Sequence, residues 1–420
     1  MSIGNNARLL DYVSCERLFN PKLEEQPVIV LSNNDGCTIA RSNEAKKLGI
    51  QMGVPAFKLR QLIQDHNIQV YSSNYTLYGD LSSRVMATLD QLAPAVEVYS
   101  IDEAFLDLST LKNHDLSAYG QHLRSTVHQW TGIPVSIGIG PTKTLAKIAN
   151  RLAKKLSEAE GVWNLTNCTE SLQALASIDV EDVWGIGRQY AKLLRANGMS
   201  NALQLRDADQ RWIKQKMGVV GLRIVLELGG MSCIPIELCP QPKKMTCVSR
   251  SFGRPVESLA ELQEAVATYA SRAAEKLRRD GLAAWVLTVF VNTNRFQDEP
   301  QYYNCSTTYL PVATSDTAEL LGYALRATEA IFCAGYRYKK AGVLLSELVP
   351  AQVVQANFFD ERERHRAQKL MQVMDQINAQ MGAQTLKFAA AGIKQPWQVK
   401  SERKSKRFTT CWSELPVAKA

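Results

Sequence analysis

Apolar and polar positions over the first part of the chain fall into alternating strand-like and helix-like runs. PVIVL at 27–31 is a short apolar run closed by Asn33-Asn-Asp-Gly36. It predicts a buried strand entering a turn, with Gly36 suited to positive φ. Helical spacing covers 55–66 and 74–92, and VEVYSIDEAFLDLS (96–109) reads as two apolar strand halves broken by one acidic pair, Asp102-Glu103. A helix near 115–131, a strand at 134–140 and a helix opening at Thr142 follow, so an α/β core with strand ends near the acidic pair is expected.

From about 170 to 235 the pattern turns helical and short, with a Gly-x-Gly turn in EDVWGIGR (181–188); PQPKK at 240–244 reads as a linker. Beyond it the order is β-α-β-β-α-β: extended over 248–256, helical over 259–280, strands at 285–291 and 303–310, a helix over 315–334, a strand at 341–348. Leu262, Ala265, Val266, Tyr269, Ala270, Ala273, Ala274 and Leu277 keep helical spacing, while Arg272, Lys276, Arg278 and Arg279 lie off that stripe. Gly281 suits the C-cap, and the whole matches a split βαβ arrangement. After about 350 periodicity is lost, and the chain ends in the basic run 400–407.

Composition narrows the class. At 420 residues the chain exceeds the ~250–300 at which single cores stop growing, so several domains are expected. No apolar run reaches the ~18 residues of a membrane span, and the first residues lack a signal-peptide pattern. Nine cysteines without CxxC spacing suggest reduced thiols in a cytoplasmic protein, rather than disulfides or zinc. The net charge of +8 suits a polyanionic partner.

Three features carry chemistry. Adjacent carboxylates between apolar strands repel each other and are costly to desolvate, so a cation is expected there; Mg²⁺ suits such oxygen ligands, although a solvated turn is the alternative. Lys143 and Lys147 lie one turn apart on a helix opening after a Gly-rich strand end, which fits a triphosphate cradle or, equally, a solvated lysine face. Gly185-Ile-Gly187 reads either as a helix-hairpin-helix gripping a DNA phosphate or as a plain tight turn.

Taken together, VLSNNDGCTIARSNEAKKLGIQMGVPAFK, SSNYTLYGDLSSRVMATL, VYSIDEAFLDL, IGIGPTKTLAKIANRLAKK and EDVWGIGR resemble the Y-family DNA polymerases, and within them the UmuC-type catalytic subunits of bacterial polymerase V with their plasmid relatives. SRSFG, YASRAAEKLR and YKKAGVLL extend the resemblance, which spans about 8–420 in order. It implies a right-hand polymerase, α/β and α+β multidomain, with a βαββαβ little finger. The implied domains are palm at 1–20 and 75–168, fingers at 21–74, helical thumb at 169–236, linker at 237–247, little finger at 248–349 and a partner-binding tail at 350–420.

The resemblance further implies error-prone translesion synthesis in SOS repair, on primed damaged DNA with dNTPs. Asp102 and Glu103 would be catalytic metal ligands for two Mg²⁺ ions. Lys147, with Arg41 and Lys46, would meet the triphosphate, Cys37 and Ile39 would roof the nascent pair, and Tyr12 would gate against a ribose 2′-OH. Gly185, Gly187, Arg188 and Arg250 would touch DNA. Gln355, Phe358 and Phe359 resemble a sliding-clamp peptide, and the tail beyond resembles the region linked to a cleaved UmuD-like dimer and RecA. Such a protein would be nucleoid-associated, with no membrane.

One position departs from the pattern. The family opens with Asp-Val-Asn-x-Phe-Tyr-Ala-Ser-Cys-Glu; here the ten positions read Ala7-Arg-Leu-Leu-Asp-Tyr-Val-Ser-Cys-Glu16. Ala7 stands where the bridging Asp belongs, and a methyl group ligates no metal. Ser2–Asn6 also makes a poor strand, and Asp11, on the next helix, is no substitute. A shifted start of the coding sequence would confine the change to these first residues. Two functions therefore stand: a lesion-bypass polymerase, and a catalytically weakened DNA- and clamp-binding protein of the same fold. A helix-hairpin-helix nuclease or glycosylase is disfavoured, because no catalytic Lys or His-rich site accompanies the hairpin.

Overall fold

The computed structural model describes residues 4–8, 11–111, 114–239, 241–360 and 362–417. The chain divides into two compact units, one of 1–32, 36–240 and 403–420, the other of 33–35 and 241–402.

The first unit is built on a five-stranded sheet. Its strands are β1 (Gly4–Arg8), β5 (Val96–Val98), β6 (Glu103–Asp107), β7 (Ser136–Gly140) and β8 (Val162–Asn164), ordered β5-β6-β1-β7-β8. β7 and β8 run parallel; the other pairs are antiparallel. The poor strand expected before Ala7 is thus a central strand. Gly4-Asn-Asn-Ala-Arg8 lacks an apolar pattern, but it pairs with β6 on one side and β7 on the other, and ladder hydrogen bonds outweigh a weak intrinsic propensity. Its register sets Ala7 opposite Ala104 and Arg8 opposite Glu103.

Helices α4 (Tyr75–Leu92) and α5 (Leu116–Thr131) bury Leu77, Leu81, Val85, Leu89, Leu123 and Val127 in one core with Leu106, Ile137 and Ile139. α6 (Lys143–Lys155) lies hard against β7: a Cβ at Gly138 would stand 2.0 Å from the Asn150 backbone nitrogen, so only glycine permits this approach. Thr142 caps α6 by accepting from Leu145 N.

A smaller sheet, ordered β3-β2-β4, holds β2 (Val28–Leu31), β3 (Thr38–Arg41) and β4 (Gln69–Ser72), with helices α2 (Asn43–Lys47) and α3 (Arg60–Asp65). The positive φ expected at Gly36 falls instead on Asn34 and Asp35, at 62° and 47°; Gly36 has φ −79°. Asn and Asp tolerate the left-handed region, so the turn needs no glycine there. α1 (Tyr12–Phe19) packs beside this sheet.

Helices α7 (Cys168–Ser177), α8 (Arg188–Ala196), α9 (Ala202–Arg206) and α10 (Gln210–Leu228) share a core with the face of α6 carrying Leu145, Ile148 and Leu152. α10 breaks step at Gly218, φ 70°.

In the second unit β9 (Met245–Val256), β10 (Leu282–Thr293), β11 (Tyr303–Thr314) and β12 (Tyr338–Pro350) form an antiparallel sheet ordered β11-β10-β12-β9. α11 (Leu259–Arg279) and α12 (Thr317–Ile331) cover it, and every residue of the apolar stripe read from the α11 sequence is buried.

The expected loss of structure after 350 is corrected by α13 (Arg364–Met381), whose Asp375 takes a bidentate contact from Arg278 at 2.7 and 2.8 Å. Ala391 and Trp397 then enter the core of this unit, Trp397 edge-on to Phe252 and Tyr269. A helix whose one buried residue is Met371 presents no wide apolar face, and so shows little 3.6-residue periodicity.

Candidate nucleotidyl-transfer site

The acidic pair sits where the two strand halves meet. β5 and β6 are antiparallel, and Tyr99 N and Ser100 N donate to Glu103 O at 3.1 and 3.0 Å, closing the hairpin. Asp102 lies in the turn and Glu103 opens β6; both are half-buried. Ser100 Oγ donates to Asp102 Oδ1 at 2.5 Å.

The cation that the pair demanded is partly protein-borne. Lys147 Nζ, from the first turns of α6, stands 2.8 Å from Glu103 Oε2. Its ammonium also lies 4.5 Å from the Tyr99 ring centroid and 4.6 Å from that of Trp184. These aromatic faces hold the charge by its attraction to their π systems. Trp184, next to Gly185, packs against Tyr99 and Phe105, so the glycine hairpin and the acidic hairpin meet around one lysine. Sequence reasoning passed over Tyr99 and Trp184, although both stand inside the quoted motifs.

Lys143 corrects the paired-lysine cradle. It is 5% exposed, and its Nζ is spent on Glu97 Oε2 at 2.5 Å and Pro235 O at 2.8 Å. Glu97 also accepts from Glu237 N, which completes a buried ion pair. One lysine of the two therefore faces the acidic pair.

Tyr12 begins α1, stacked on Tyr78 at 4.6 Å and edge-on to Tyr75 at 6.0 Å. Burial raises its phenol to about 12, helped by the charges of Tyr75 and Asp102. Tyr12 is thus within electrostatic reach of the acidic hairpin and stays a neutral phenol. Asp11 caps α1 by accepting from Val13 N.

The remaining expected residues are spread. Cys37 bridges to Pro55, and Ile39 on β3 packs on the same core as Tyr12. Arg41 donates to Ile50 O, while its buried Nε has no partner among the described residues. Lys46 is exposed and bonds Asn43 Oδ1 at 2.9 Å. Gly185, φ 89°, would push a Cβ to 2.7 Å from Ile224, and Gly187 caps α8, which opens with exposed Arg188. In the second unit Arg250 is exposed on edge strand β9, and Gln355, Phe358 and Phe359 are exposed, the two rings 105% and 91%. Among the described residues no three His, Cys, Asp or Glu side chains converge as a metal site, and no helix is long and apolar enough to cross a membrane.

The profile of the impB/mucB/samB family matches residues 11–151, and that of its C-terminal domain matches 243–358. A domain of unknown function matches 368–418. Protein ImpB of Salmonella typhimurium is 44% identical over 97% of both chains. The chain belongs to the impB/mucB/samB family. Protein UmuC of Salmonella typhimurium strain LT2 is also 44% identical, over 96% of this chain and 97% of its own. DNA polymerase IV of Caulobacter vibrioides is 25% identical over 89% of each. A solved Y-family DNA polymerase chimera superposes with a TM-score of 0.66 at 20% identity, covering 83% of this chain and 99% of its own, which shows the fold. The fold is thus a Y-family one, and the enzyme class is that of DNA-directed DNA polymerases, as in the relative named DNA polymerase IV.

Proposed function

We propose that the chain copies damaged template DNA in an SOS-type response, joining dNTPs to a primer end through Asp102, Glu103 and Lys147. The observation that carries this is the 2.8 Å contact between Lys147 and Glu103 beside Asp102. A metal-ligand carboxylate and a phosphate-binding lysine neutralise each other until substrate arrives. Asp102 and Glu103 would hold a Mg²⁺ ion, and Lys147, 2.8 Å from Glu103, is the cation on hand to meet the triphosphate. Tyr12 stands against the sugar, Cys37 and Ile39 roof the base pair, and Arg41 and Lys46 approach the phosphates. Gly185, Gly187, Arg188 and Arg250 hold the DNA backbone. In this reading the five-stranded sheet is the palm, the three-stranded sheet the fingers, α7–α10 the thumb, and β9–β12 with α11 and α12 the little finger.

Two adjacent carboxylates are a hard donor set that suits one Mg²⁺ sharing its shell with phosphate oxygens. Bound there, the ion supplies charge neutralisation at the leaving pyrophosphate. A second ion would need a further carboxylate to offset its charge; the family pattern places that carboxylate at position 7, where this chain has Ala7, whose backbone pairs with Ala104 beside Glu103. That observation favours the second reading, a weakened polymerase that still binds DNA and the clamp.

Primer extension with Mg²⁺ separates the readings. Ala7→Asp is expected to raise extension at least tenfold if the position lacks its bridging ligand, an effect on the order of 1.4 kcal/mol. Equal extension by both proteins overturns the deficit assigned to Ala7. No extension by either leaves DNA and clamp binding as the function. Exposed Gln355, Phe358 and Phe359 support clamp docking, and a UmuD-like dimer and RecA are proposed as further partners on family grounds.

A further inference from the structure

The C-terminal segment 403–408 is built into the first unit at a specific place. Arg403 N donates to Ser72 Oγ, and Ser72 N donates to Arg403 O, both at 3.0 Å, so the segment continues the edge of β4 through the Ser72–Lys404 bridge. Fully buried Asn74, which caps α4, donates its amide to Ser405 O, Ser405 Oγ and Lys406 O at 3.1, 3.0 and 3.2 Å. Phe408 stacks on Phe19, at the end of α1, with centroids 4.7 Å apart. The backbone N and guanidinium of Arg407 bind Glu414 and close the loop that follows. The segment is therefore a strap from α4 to α1.

Under the strap lies a buried carboxylate. Glu16, 2% exposed, accepts from Ser405 Oγ at 3.0 Å and from Tyr78 OH at 2.6 Å, both on Oε1. Tyr78 is fully buried, and Tyr12 stacks on its ring at 13° between planes. A ring whose hydroxyl is tied down and whose face is covered by another ring transmits its orientation to that partner, because interiors are close-packed.

We propose that Ser405 is a positioning residue for nucleotide selection: through Glu16 and Tyr78 it sets the plane of Tyr12, so the C-terminal strap completes the nucleotide site. This rests on the reading of Tyr12 as the sugar gate. Ser405 itself touches no substrate. Without its hydroxyl, Glu16 holds Tyr78 alone, and the stacked pair gains freedom to tilt away from the sugar.

The full chain, with ring-¹³C tyrosine, tests this in solution. Tyr12 and Tyr78 cross-peaks are identified by Tyr12→Phe and Tyr78→Phe. Ser405→Ala is expected to shift or broaden both, leaving the peaks of Tyr302 and Tyr336 in place, whereas Ser405→Thr, which keeps the hydroxyl, restores the parent spectrum. Trp412→Ala, at an exposed residue of the loop that follows the strap, leaves the spectrum unchanged. In primer extension with dATP against ATP, Ser405→Ala is expected to relax the preference about three- to tenfold through a lower KM for ATP, the scale of one charge-assisted hydrogen bond partly transmitted. Tyr12→Ala relaxes it further. An unmoved Tyr12 cross-peak in Ser405→Ala, or an unchanged preference there while Tyr12→Ala relaxes it, overturns the strap's role. An unchanged preference in Tyr12→Ala overturns the gate reading, and the strap's role with it.

Discussion

The strands of the four-stranded sheet are 12 or 13 residues long, and those of the five-stranded sheet are three to five. In the long sheet β10 and β12 pair over almost their full length, and α11 buries an unbroken stripe against it. In the short sheet every strand ends within a few residues of the acidic hairpin or of α6. Long strands keep their polar backbone satisfied internally and leave side chains to packing. Short strands expose their ends, and the ends are where carboxylates and a lysine can be offered to substrate. The two sheets thus divide the work: changes in the long one should cost stability, and changes in the short one should cost chemistry.

The widest separation is expected at Asp102→Asn, which keeps shape and removes the anion. Extension should fall by at least about a hundredfold, because a metal held at a reacting phosphate supplies several kcal/mol. The melting curve should stay in place; a large loss of stability instead would return Asp102 to a structural role.

Phe252→Ala makes the reverse test, since its ring is fully buried between Trp397 and the sheet core. It should cost ~3–5 kcal/mol in urea unfolding of the second unit, with the transition of the first unit unmoved. A change confined to the first unit would break the division.

Gly138→Ala sharpens the comparison by joining both effects. Its methyl meets the backbone of α6 rather than a pliable side chain, so α6 must move and carry Lys147 with it. A loss of roughly 1–3 kcal/mol is expected together with a raised KM for dNTP. A raised KM without destabilisation would mean that α6 shifts freely.

The smallest effect concerns Glu16, whose carboxyl is pushed above the usual carboxylate range by burial, despite the hydrogen bonds from Tyr78 and Ser405. A raised folded-state value means that its contribution to stability is full below the unfolded value and is lost as pH rises through the folded one. Glu16→Gln removes this titration, so its Tm relative to the parent should climb as pH rises above the ordinary carboxylate range. A flat difference would show that the ionised form is fully compensated under the strap.

The long sheet was legible from the chain because each element carries its own signal. The α11 stripe and Gly281 just past its end are local patterns, and local patterns survive in one dimension. The acidic pair was legible for the same reason, as charge interrupting an apolar run. β1 was not legible, since Gly4-Asn-Asn-Ala-Arg8 becomes a strand through the neighbours on either side.

By itself, then, the amino-acid order determined the α/β and βαββαβ plan, the hairpin carrying Asp102 and Glu103, and the family. Tertiary structure decided which lysine meets Glu103, that Lys143 is consumed by Glu97, and that residues 403–408 return to Glu16. The reason is sequence distance. A lysine's partner 46 positions away, or a serine's partner 389 positions away, is chosen by how helices and sheets pack. Local spacing carries no record of that choice.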